Sequence, residues 1–426
     1  MSEPSTGLGG CMSNLFSIIC NDHNHEECAN RVADEFEKGS WVILKTKNQS
    51  EQFISSELPP GPGIIIRGGG STGSYQQCLH HVSHLNQSAI ATSQWLKGQG
   101  LNPVDCQILN ALPLHHVSGL LPWWRSRCWG AKHIWIEAKT MHNPSQLEEK
   151  CNSLKGHHQA IRITSLVPTQ LTRLIKSPAG VRWLQSCSII WVGGAPISKA
   201  LAKASRALNL RLAPCYGTTE TTAMVTIQTP EDFLTGQNSS GEPLNDIELR
   251  LGTGNTLQIR TQRLAKCIKA DGTISSIANE EGWWESGDVA ELLIQNHVQQ
   301  LKIIGRQDTA INSGGEIIFP EKLQVRLLDA AIKRKIAIEA ILLTTIKDEE
   351  WGERLIALVR LKNSQNDHDL KKSFASLKQI VKEWSSIERP SAWYHCPALS
   401  TNILGKWEIN KWKSWVIKLN RTNTSM

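Results

Sequence analysis

Short apolar runs alternate with segments of helical spacing between about residue 60 and residue 305. The runs that predict strands are 63–67, 106–114, 133–137, 160–167, 189–192 and 211–215. Helical spacing is shown by Leu79, Val82, Leu85, Ala89 and Leu96, and again by Leu171, Leu174 and Ile175. Because strand and helix follow one another repeatedly, we predict an α/β fold with mixed, mostly parallel sheets.

The pattern changes close to residue 308. Just before it, the apolar runs 247–251 and 256–261 flank Gly252-Thr-Gly-Asn255, which predicts an antiparallel hairpin and a small β-rich part. After residue 308 we expect a helix from Pro320, strands at 337–345 and 355–361, and a helix over 370–384. We therefore predict a large N-terminal domain, 1–307, and a small α+β C-terminal domain, 308–426. The first 60 residues are too weakly patterned to place.

Composition and charge narrow the functional classes. The 426 residues carry a net charge of +7 but no stripe of interleaved basic and aromatic residues, so nucleic-acid binding is not indicated. No run of about eighteen apolar residues predicts a membrane-spanning helix, and the N-terminus lacks a signal-peptide pattern. The eleven cysteines form no Cys-x-x-Cys pair, which favours reduced thiols over a disulfide framework. We therefore expect a cytoplasmic protein.

One cysteine and histidine cluster has the residue types of a metal site. It reads Cys20-x-x-His23-x-His25-x-x-Cys28. Its ligands are more tightly spaced than in usual zinc folds, and its acidic neighbours favour a loop that enters a helix. The structural interpretation is therefore preferred.

Two segments have the chemistry of a phosphate site. In the first, an apolar strand runs into a loop that contains Gly70, Ser71, Thr72 and Gly73, and a helix is expected to follow. Successive backbone N–H groups in such a loop can form a concave anion site. No Gly-Lys-Ser/Thr follows, so it is not a Walker loop.

The second segment is Tyr216-Gly-Thr-Thr-Glu-Thr221, which is expected to begin where the strand 211–215 ends. Gly217 permits close approach of the backbone, and Thr218 and Thr219 can donate to phosphate oxygens. Glu220 offers a hard oxygen ligand that suits Mg²⁺.

Further candidates follow the other predicted strands, where ligands bind in open α/β sheets. They are His116, the hydroxyl residues Ser165 and Thr169, and the small residues Gly193, Gly194 and Ala195. Later in the chain, Asp288 could accept hydrogen bonds from ribose hydroxyls, and Arg306 could donate to ribose or phosphate. Asp308, Gly314-Gly315 and Gly405-Lys406 complete the ordered set.

Taken in order, these motifs resemble the adenylate-forming acyl-CoA synthetase superfamily, from about residue 60 to residue 412. Within it, Leu112-Pro-Leu-His-His-Val-Ser-Gly119 and Ser165-Leu-Val-Pro-Thr-Gln-Leu171 look most like the o-succinylbenzoate–CoA ligases of menaquinone and phylloquinone synthesis. The resemblance implies a ligase that uses ATP and Mg²⁺, and coenzyme A as co-substrate.

The resemblance also implies roles for individual residues. Lys406 would bridge the substrate carboxylate and the α-phosphate, and Glu220 would hold Mg²⁺. Nucleotide contacts would come from Gly70, Ser71, Thr72, Gly73, Gly193, Gly194, Ala195, Tyr216, Gly217, Thr218, Thr219, Asp288 and Arg306. The acid and thiol would be bound by His116, Ser165, Thr169, Gly314 and Gly315. Asp308 would be the hinge about which the C-terminal domain turns between the two half-reactions.

Two departures leave alternatives open. The phosphate loop of the family carries a Lys where this chain has Gln76, and much of the usual N-terminal subdomain is missing. The same motifs would serve a ligase for another aryl or fatty acid. A nucleotide-binding relative without catalysis is the third interpretation, although a pure binder needs no late Lys406.

Overall fold

The computed structural model describes residues 14–21, 23–47, 58–68, 76–153, 161–269, 271–295, 298–313, 316–348, 352–362, 367–402 and 405–424. The strands are β1 (Leu15–Ile19), β2 (Trp41–Lys45), β3 (Gly63–Arg67), β4 (Gln77–His81), β5 (Cys106–Asn110), β6 (Lys132–Trp135), β7 (Ile161–Leu166), β8 (Ile189–Val192), β9 (Leu212–Thr218), β10 (Ala223–Ile227), β11 (Glu242–Pro243), β12 (Glu248–Leu251), β13 (Thr256–Arg260), β14 (Lys266–Ile268), β15 (Ile274–Ser276), β16 (Trp283–Gln295), β17 (Val298–Arg306), β18 (Ile311–Ser313), β19 (Glu316–Ile318), β20 (Ile338–Asp348), β21 (Gly352–Leu361) and β22 (Ala392–His395). The helices are α1 (His25–Glu37), α2 (Val82–Gly98), α3 (Val117–Trp129), α4 (Ala138–Met141), α5 (Pro144–Asn152), α6 (Pro168–Leu174), α7 (Pro178–Gln185), α8 (Lys199–Ala207), α9 (Pro230–Leu234), α10 (Pro320–Lys333), α11 (Asp367–Val381) and α12 (Ile409–Thr424).

The central sheet has seven strands in the order β11-β10-β9-β8-β7-β5-β6. Its pairs from β9 to β6 are parallel, whereas β10 is antiparallel to both of its neighbours. Every residue of β5 and β8 is buried, as expected for strands covered on both faces. The predicted α/β class with a mostly parallel sheet is therefore confirmed.

A second large sheet has the order β1-β2-β3-β4-β14-β15, in which β1, β2 and β3 are parallel and the other pairs antiparallel. Helix α2 lies between the two sheets. Its Leu85 packs into the core under the second sheet, and its Ala91 and Leu96 pack into a core of the central sheet. The segment before residue 60 thus supplies β1 and β2 to the second sheet, and α1 packs against them.

The prediction that the helix includes Leu79 was wrong. Leu79 lies in β4, and the helix begins only at Val82, after His81 as N-cap. The glycine-rich loop therefore joins two antiparallel strands, β3 and β4, and not a strand and a helix as predicted.

The β-rich part and the C-terminal elements follow the predicted order. The hairpin is confirmed as β12 paired with β13, in a four-stranded antiparallel sheet with β16 and β17. Residues 307–309 form a short 3-10 helix after β17, and the predicted domain boundary lies there. Beyond it, α10 and α11 pack on the sheet β20-β21-β22 around a separate apolar core. No helix in the described parts of the chain combines the length and the apolarity needed to cross a membrane.

Candidate active site

A cleft of about 1960 Å³ separates the carboxyl edge of the central sheet from the C-terminal elements. Because β5, β7, β8 and β9 are parallel, the loops after β5, β7 and β8 emerge at the same edge. Typical ligand pockets measure roughly 300–1,000 Å³, so this cleft has room for a nucleotide and a second substrate together.

Strand β9 carries the central motif into the cleft. It does not end at Cys215 as predicted but continues to Thr218, because it changes partner from β8 to the antiparallel β10. Gly217 lies against β10, and a Cβ built on it would be only 2.0 Å from the carbonyl oxygen of Ala223. Only glycine fits that position without moving the backbone.

The turn after β9 presents Glu220. Thr222 and Ala223 both have positive φ, 54° and 74°, which is unusual for non-glycine residues and gives the turn its tight shape. The Thr221 hydroxyl donates within this turn to the carbonyl oxygens of Thr218 and Ala223. The Glu220 carboxylate points toward the beginning of the glycine-rich loop, since a Cβ on Gly68 would lie 3.2 Å from Glu220 Oε1.

A buried carboxylate network closes one side of the cleft. The Tyr216 hydroxyl donates to Asp288 Oδ2 at 2.6 Å, and Arg306 Nη1 is 3.4 Å from Asp288 Oδ1. The same guanidinium makes a two-pronged contact with Asp308 at 2.9 and 3.1 Å. Burial raises the pKa of Asp288, which the Tyr216 hydrogen bond and Arg306 partly oppose. Burial, reinforced by Asp288, also raises the pKa of Tyr216 well above its ordinary value.

The C-terminal elements place Lys406 opposite this network. Gly405, at φ 71°, packs against the loop after β7, where its Cβ would lie 3.1 Å from Thr169 Oγ1. Burial lowers the pKa of the half-buried Lys406, while Glu220 and Asp288 act on the ammonium in the opposite direction. Lys406 is therefore brought together with Glu220, Asp288 and Arg306, although these residues are far apart in sequence.

His116 begins α3 as its N-cap residue, and its ring lies 4.3 Å from that of His115. Burial, together with His115 and Lys406, lowers the pKa of His116 to about 3, so the ring is neutral near pH 7. Thr169 lines the cleft, but Ser165 is not one of the described residues that form the cleft wall. Ser165 lies half-buried in β7, paired with Asn110 and Trp191.

The loop after β8 lines the cleft with Gly194 and Ala195. A Cβ on the neighbouring Gly193 would lie 3.0 Å from Cys215 Sγ, so a side chain there would crowd β9. Gly70, Ser71, Thr72 and Gly73, and also Gly314 and Gly315, lie outside the described residues, and their roles stay predictions.

The N-terminal cysteine and histidine cluster brings only its two thiols together: the Cys20 and Cys28 side chains are hydrogen-bonded to each other. Cys28 Sγ donates to the Ile19 carbonyl at 3.4 Å, and His25 packs against the Trp135 ring at 5.0 Å. Within the described parts of the chain, no group of three or more His, Cys, Asp or Glu side chains is arranged to hold a metal ion.

Comparison with known families agrees with this geometry. A family model described as AMP-binding enzyme matches residues 26–261, which is more than half of the chain. The chain belongs to the AMP-binding enzyme family. The match begins within α1, so the family resemblance reaches further toward the N-terminus than residue 60.

Curated relatives of this AMP-binding enzyme are ligases. The 2-succinylbenzoate–CoA ligase of Salmonella typhimurium is 29% identical over 330 residues, covering 77% of this chain and 63% of the relative. The 2-succinylbenzoate–CoA ligase of Escherichia coli is 29% identical over 309 residues, covering 72% and 60%. The chain thus spans slightly less than two thirds of the length of these relatives.

A solved structure shows the same fold. The o-succinylbenzoate CoA synthetase of Bacillus subtilis, in complex with the acyl-adenylate intermediate OSB-AMP, superposes with a TM-score of 0.72. The sequences are 19% identical, and the superposition covers 94% of this chain and 88% of that chain.

The sequence analysis of this AMP-binding enzyme missed Arg263, which stabilises the turn that carries Glu220. Arg263 is fully buried, and its guanidinium donates to the carbonyls of Thr221, Thr222 and Met224. Asp246 pairs with it at 2.7 Å. Because the partners are backbone carbonyls, no side-chain motif in the sequence signals this role.

Arg173 was also missed. It lies four residues after Thr169 on α6, which puts both side chains on one face of the helix, and both line the cleft. Arg173 Nη1 is 3.4 Å from His142 Nε2. The Thr-x-x-x-Arg spacing, with Pro168 as a helix start, could have revealed it.

Proposed function

We propose that this chain is an acid–thiol ligase that activates o-succinylbenzoate with ATP and transfers the acyl group to coenzyme A, in menaquinone or phylloquinone biosynthesis. One observation carries the proposal: Lys406 lines the same cleft as Glu220, Asp288 and Arg306, whose charges act on its ammonium. The names of the relatives and the family membership support the same reaction.

A carboxylate is a poor acyl donor because a thiol cannot expel oxide. In the first step the carboxylate attacks the α-phosphate of ATP, which forms the acyl-adenylate and releases pyrophosphate. Negative charge collects at the α-phosphate, and the Lys406 ammonium is placed to stabilise it. In the second step the coenzyme A thiolate attacks the acyl carbon and AMP leaves.

The nucleotide would lie along β9 and the loop after β8. Gly194 and Ala195 leave a flat surface for the base beside Tyr216, and Thr218 and Thr219 are candidates for phosphate contact. Asp288 and Arg306 would hold the ribose hydroxyls. These assignments are supported by the shared cleft wall.

The residues present fit a magnesium ion. Glu220 is a single carboxylate beside the predicted phosphate loop, and Mg²⁺ is usually held by one or two carboxylates together with substrate phosphates and water. When bound, the ion would neutralise phosphate charge during adenylation. Glu220 would orient it, and Arg263 would keep the Glu220 turn in place.

The second carboxylate of o-succinylbenzoate requires donors, since an unpaired charge in a closed pocket is costly. Thr169 and Arg173 on the cleft wall are suited to this task. Ser165, which lies in β7, stays a donor predicted from the sequence alone. His116, neutral at physiological pH, would border the aromatic ring.

We further place the enzyme in the cytoplasm and its two domains at 1–307 and 308–426, with Asp308 as the hinge. The described cysteines are free thiols, as expected for a reducing compartment. The separate apolar core after residue 308 supports the domain division.

Pyrophosphate release tests the function. The purified protein is incubated with ATP and Mg²⁺ and, separately, o-succinylbenzoate, benzoate, a medium-chain fatty acid or 4-hydroxycinnamate. We expect release with o-succinylbenzoate and none with benzoate. Faster turnover of a fatty acid or of 4-hydroxycinnamate would reassign the substrate, and no release with any acid would favour a nucleotide-binding relative without catalysis.

A further inference from the structure

A carboxylate from the C-terminal elements caps a helix of the central sheet layer. Asp329 lies on α10, and its Oδ1 accepts the Ala200 N–H at 3.0 Å while its Oδ2 accepts the Lys199 N–H at 3.3 Å. Both donors belong to the first turn of the nine-residue α8. Asp329 is only 8% exposed, so the contact is largely shielded from water.

This contact completes the capping of α8. The Ser198 hydroxyl accepts the Leu201 N–H at 3.1 Å, which leaves the N–H groups of Lys199 and Ala200 for an outside partner. The N-terminus of a helix carries partial positive charge, and a carboxylate there forms charge-assisted hydrogen bonds. Asp329 therefore makes a specific contact between the two predicted domains.

The contact exists in the same arrangement that brings Lys406 into the cleft. Asp329 and Lys406 both follow residue 308, and α8 belongs to the part before it. Resting on the proposed function, we propose that Asp329 is a positioning residue that holds the C-terminal domain in the orientation for acyl-adenylate formation. Asp329 borders the cleft, but both of its carboxylate oxygens accept N–H groups of α8, so it acts through the placement of Lys406.

The two half-reactions should therefore respond differently to its loss. If the C-terminal domain turns about Asp308, as proposed above, α10 would separate from α8, and the carboxylate and the two N–H groups would be exposed to water. Asp329 thus favours the orientation before the turn over the one after it. Removing the charge weakens that preference without altering a group that contacts substrate.

Asp329→Asn keeps the side-chain shape and removes the charge. Adenylation is followed as pyrophosphate release from ATP and o-succinylbenzoate, and thioester formation is followed from chemically supplied acyl-adenylate and coenzyme A. We expect adenylation to fall about tenfold, as for the loss of charge-assisted hydrogen bonds, and thioester formation to be unchanged or faster. Equal losses in both half-reactions, or no change in either, would overturn the proposal.

Glu388→Gln is the matched control. Glu388 accepts from Arg326 Nη1 at 3.0 Å, so it contacts the same helix α10 but from within the C-terminal elements. Neither half-reaction should change in this variant. A comparable drop in adenylation would show that the loss of any carboxylate in contact with α10 has this effect, and would refute the specific role of Asp329.

A second measurement does not depend on the substrate. Hydrogen exchange at the amides of Lys199 and Ala200 is compared in wild type, Asp329→Ala and Glu388→Gln, without ligands. We expect faster exchange in Asp329→Ala alone, and unchanged exchange would overturn the contact. If the wild type activates no acid, the proposed function fails, while the exchange result still decides whether Asp329 caps α8 across the two predicted domains.

Discussion

His80 should make the protein sensitive to acid. The ring is fully buried in β4, and its Nε2 lies 2.7 Å from the Thr219 carbonyl. Because a carbonyl only accepts, Nε2 carries the proton, and Nδ1 is an acceptor that lies 2.9 Å from Thr222 Oγ1 and 3.3 Å from His84 Nδ1. Burial, followed by the effect of His84, lowers the pKa of His80 from 6.5 to about 3.

The direction and the size of the change in unfolding free energy with pH follow from proton linkage. Between pH 6.5 and 3 the unfolded chain binds a proton at His80 and the folded protein does not, so the free energy of unfolding falls as the pH falls. At pH 5, about 1.5 pH units below 6.5, His80 alone lowers stability by ~2 kcal/mol relative to pH 7.5. The half-buried rings of His84, His116 and His133, whose pKa values are lowered to about 4, 3 and 3, act in the same direction.

The contribution of His80 is isolated by difference. Urea unfolding is measured at pH 7.5 and pH 5.0 for wild type, His80→Gln and His368→Gln, the last at an exposed position. The loss of unfolding free energy on acidification should be smaller by ~2 kcal/mol in His80→Gln than in wild type, and unchanged in His368→Gln. An equal loss in His80→Gln and wild type would refute the assignment of a buried, neutral His80.

Four further predictions concern the cleft. Lys406→Ala should lower adenylation by several kcal/mol of transition-state stabilisation yet spare thioester formation from supplied acyl-adenylate; equal loss in both assays would contradict its role. Gln76→Ala should change turnover little, and a hundredfold drop, about 2.7 kcal/mol, would show a hidden function. Thr169→Val should bring the KM values of o-succinylbenzoate and of an analogue without the ring carboxylate closer together, by a ratio that corresponds to at most roughly 1–3 kcal/mol of binding free energy. An unchanged ratio would remove Thr169 as a donor. Arg173→Ala should raise KM for o-succinylbenzoate about tenfold or more but leave KM for ATP unchanged, and a parallel rise in both would place Arg173 elsewhere.

Part of the candidate site could be predicted from the sequence because its residues lie in short motifs. Glu220, Asp288, Arg306 and Lys406 occur in an ordered set of short motifs, and the structure brings them around one cleft. The role of Arg263 could not be predicted from the sequence, because its partners are carbonyls in a turn about 40 residues earlier in the chain. The role of Asp329 could not be predicted either, because its partners are the backbone N–H groups of a helix in the other predicted domain.

The sequence by itself determined the fold class, the family and the strands of the parallel part of the central sheet. Alternating apolar runs and helical spacing follow from local geometry, because a strand repeats every two residues and a helix every 3.6. Long buried runs such as β8, and the helix from Pro320, were therefore predicted within a few residues of their observed bounds.

Tertiary structure alone decided where local signals compete or where distant segments meet. Leu79 fits a helical pattern, yet β4 forms there because it pairs with β3 on one side and β14 on the other. Strand β9 passes Cys215 because β10 supplies a new partner, and β10 can pair only after the strained turn at Thr222 and Ala223. Pairing and burial between distant segments contribute more free energy than local propensity, and they are not visible along the chain until it is folded.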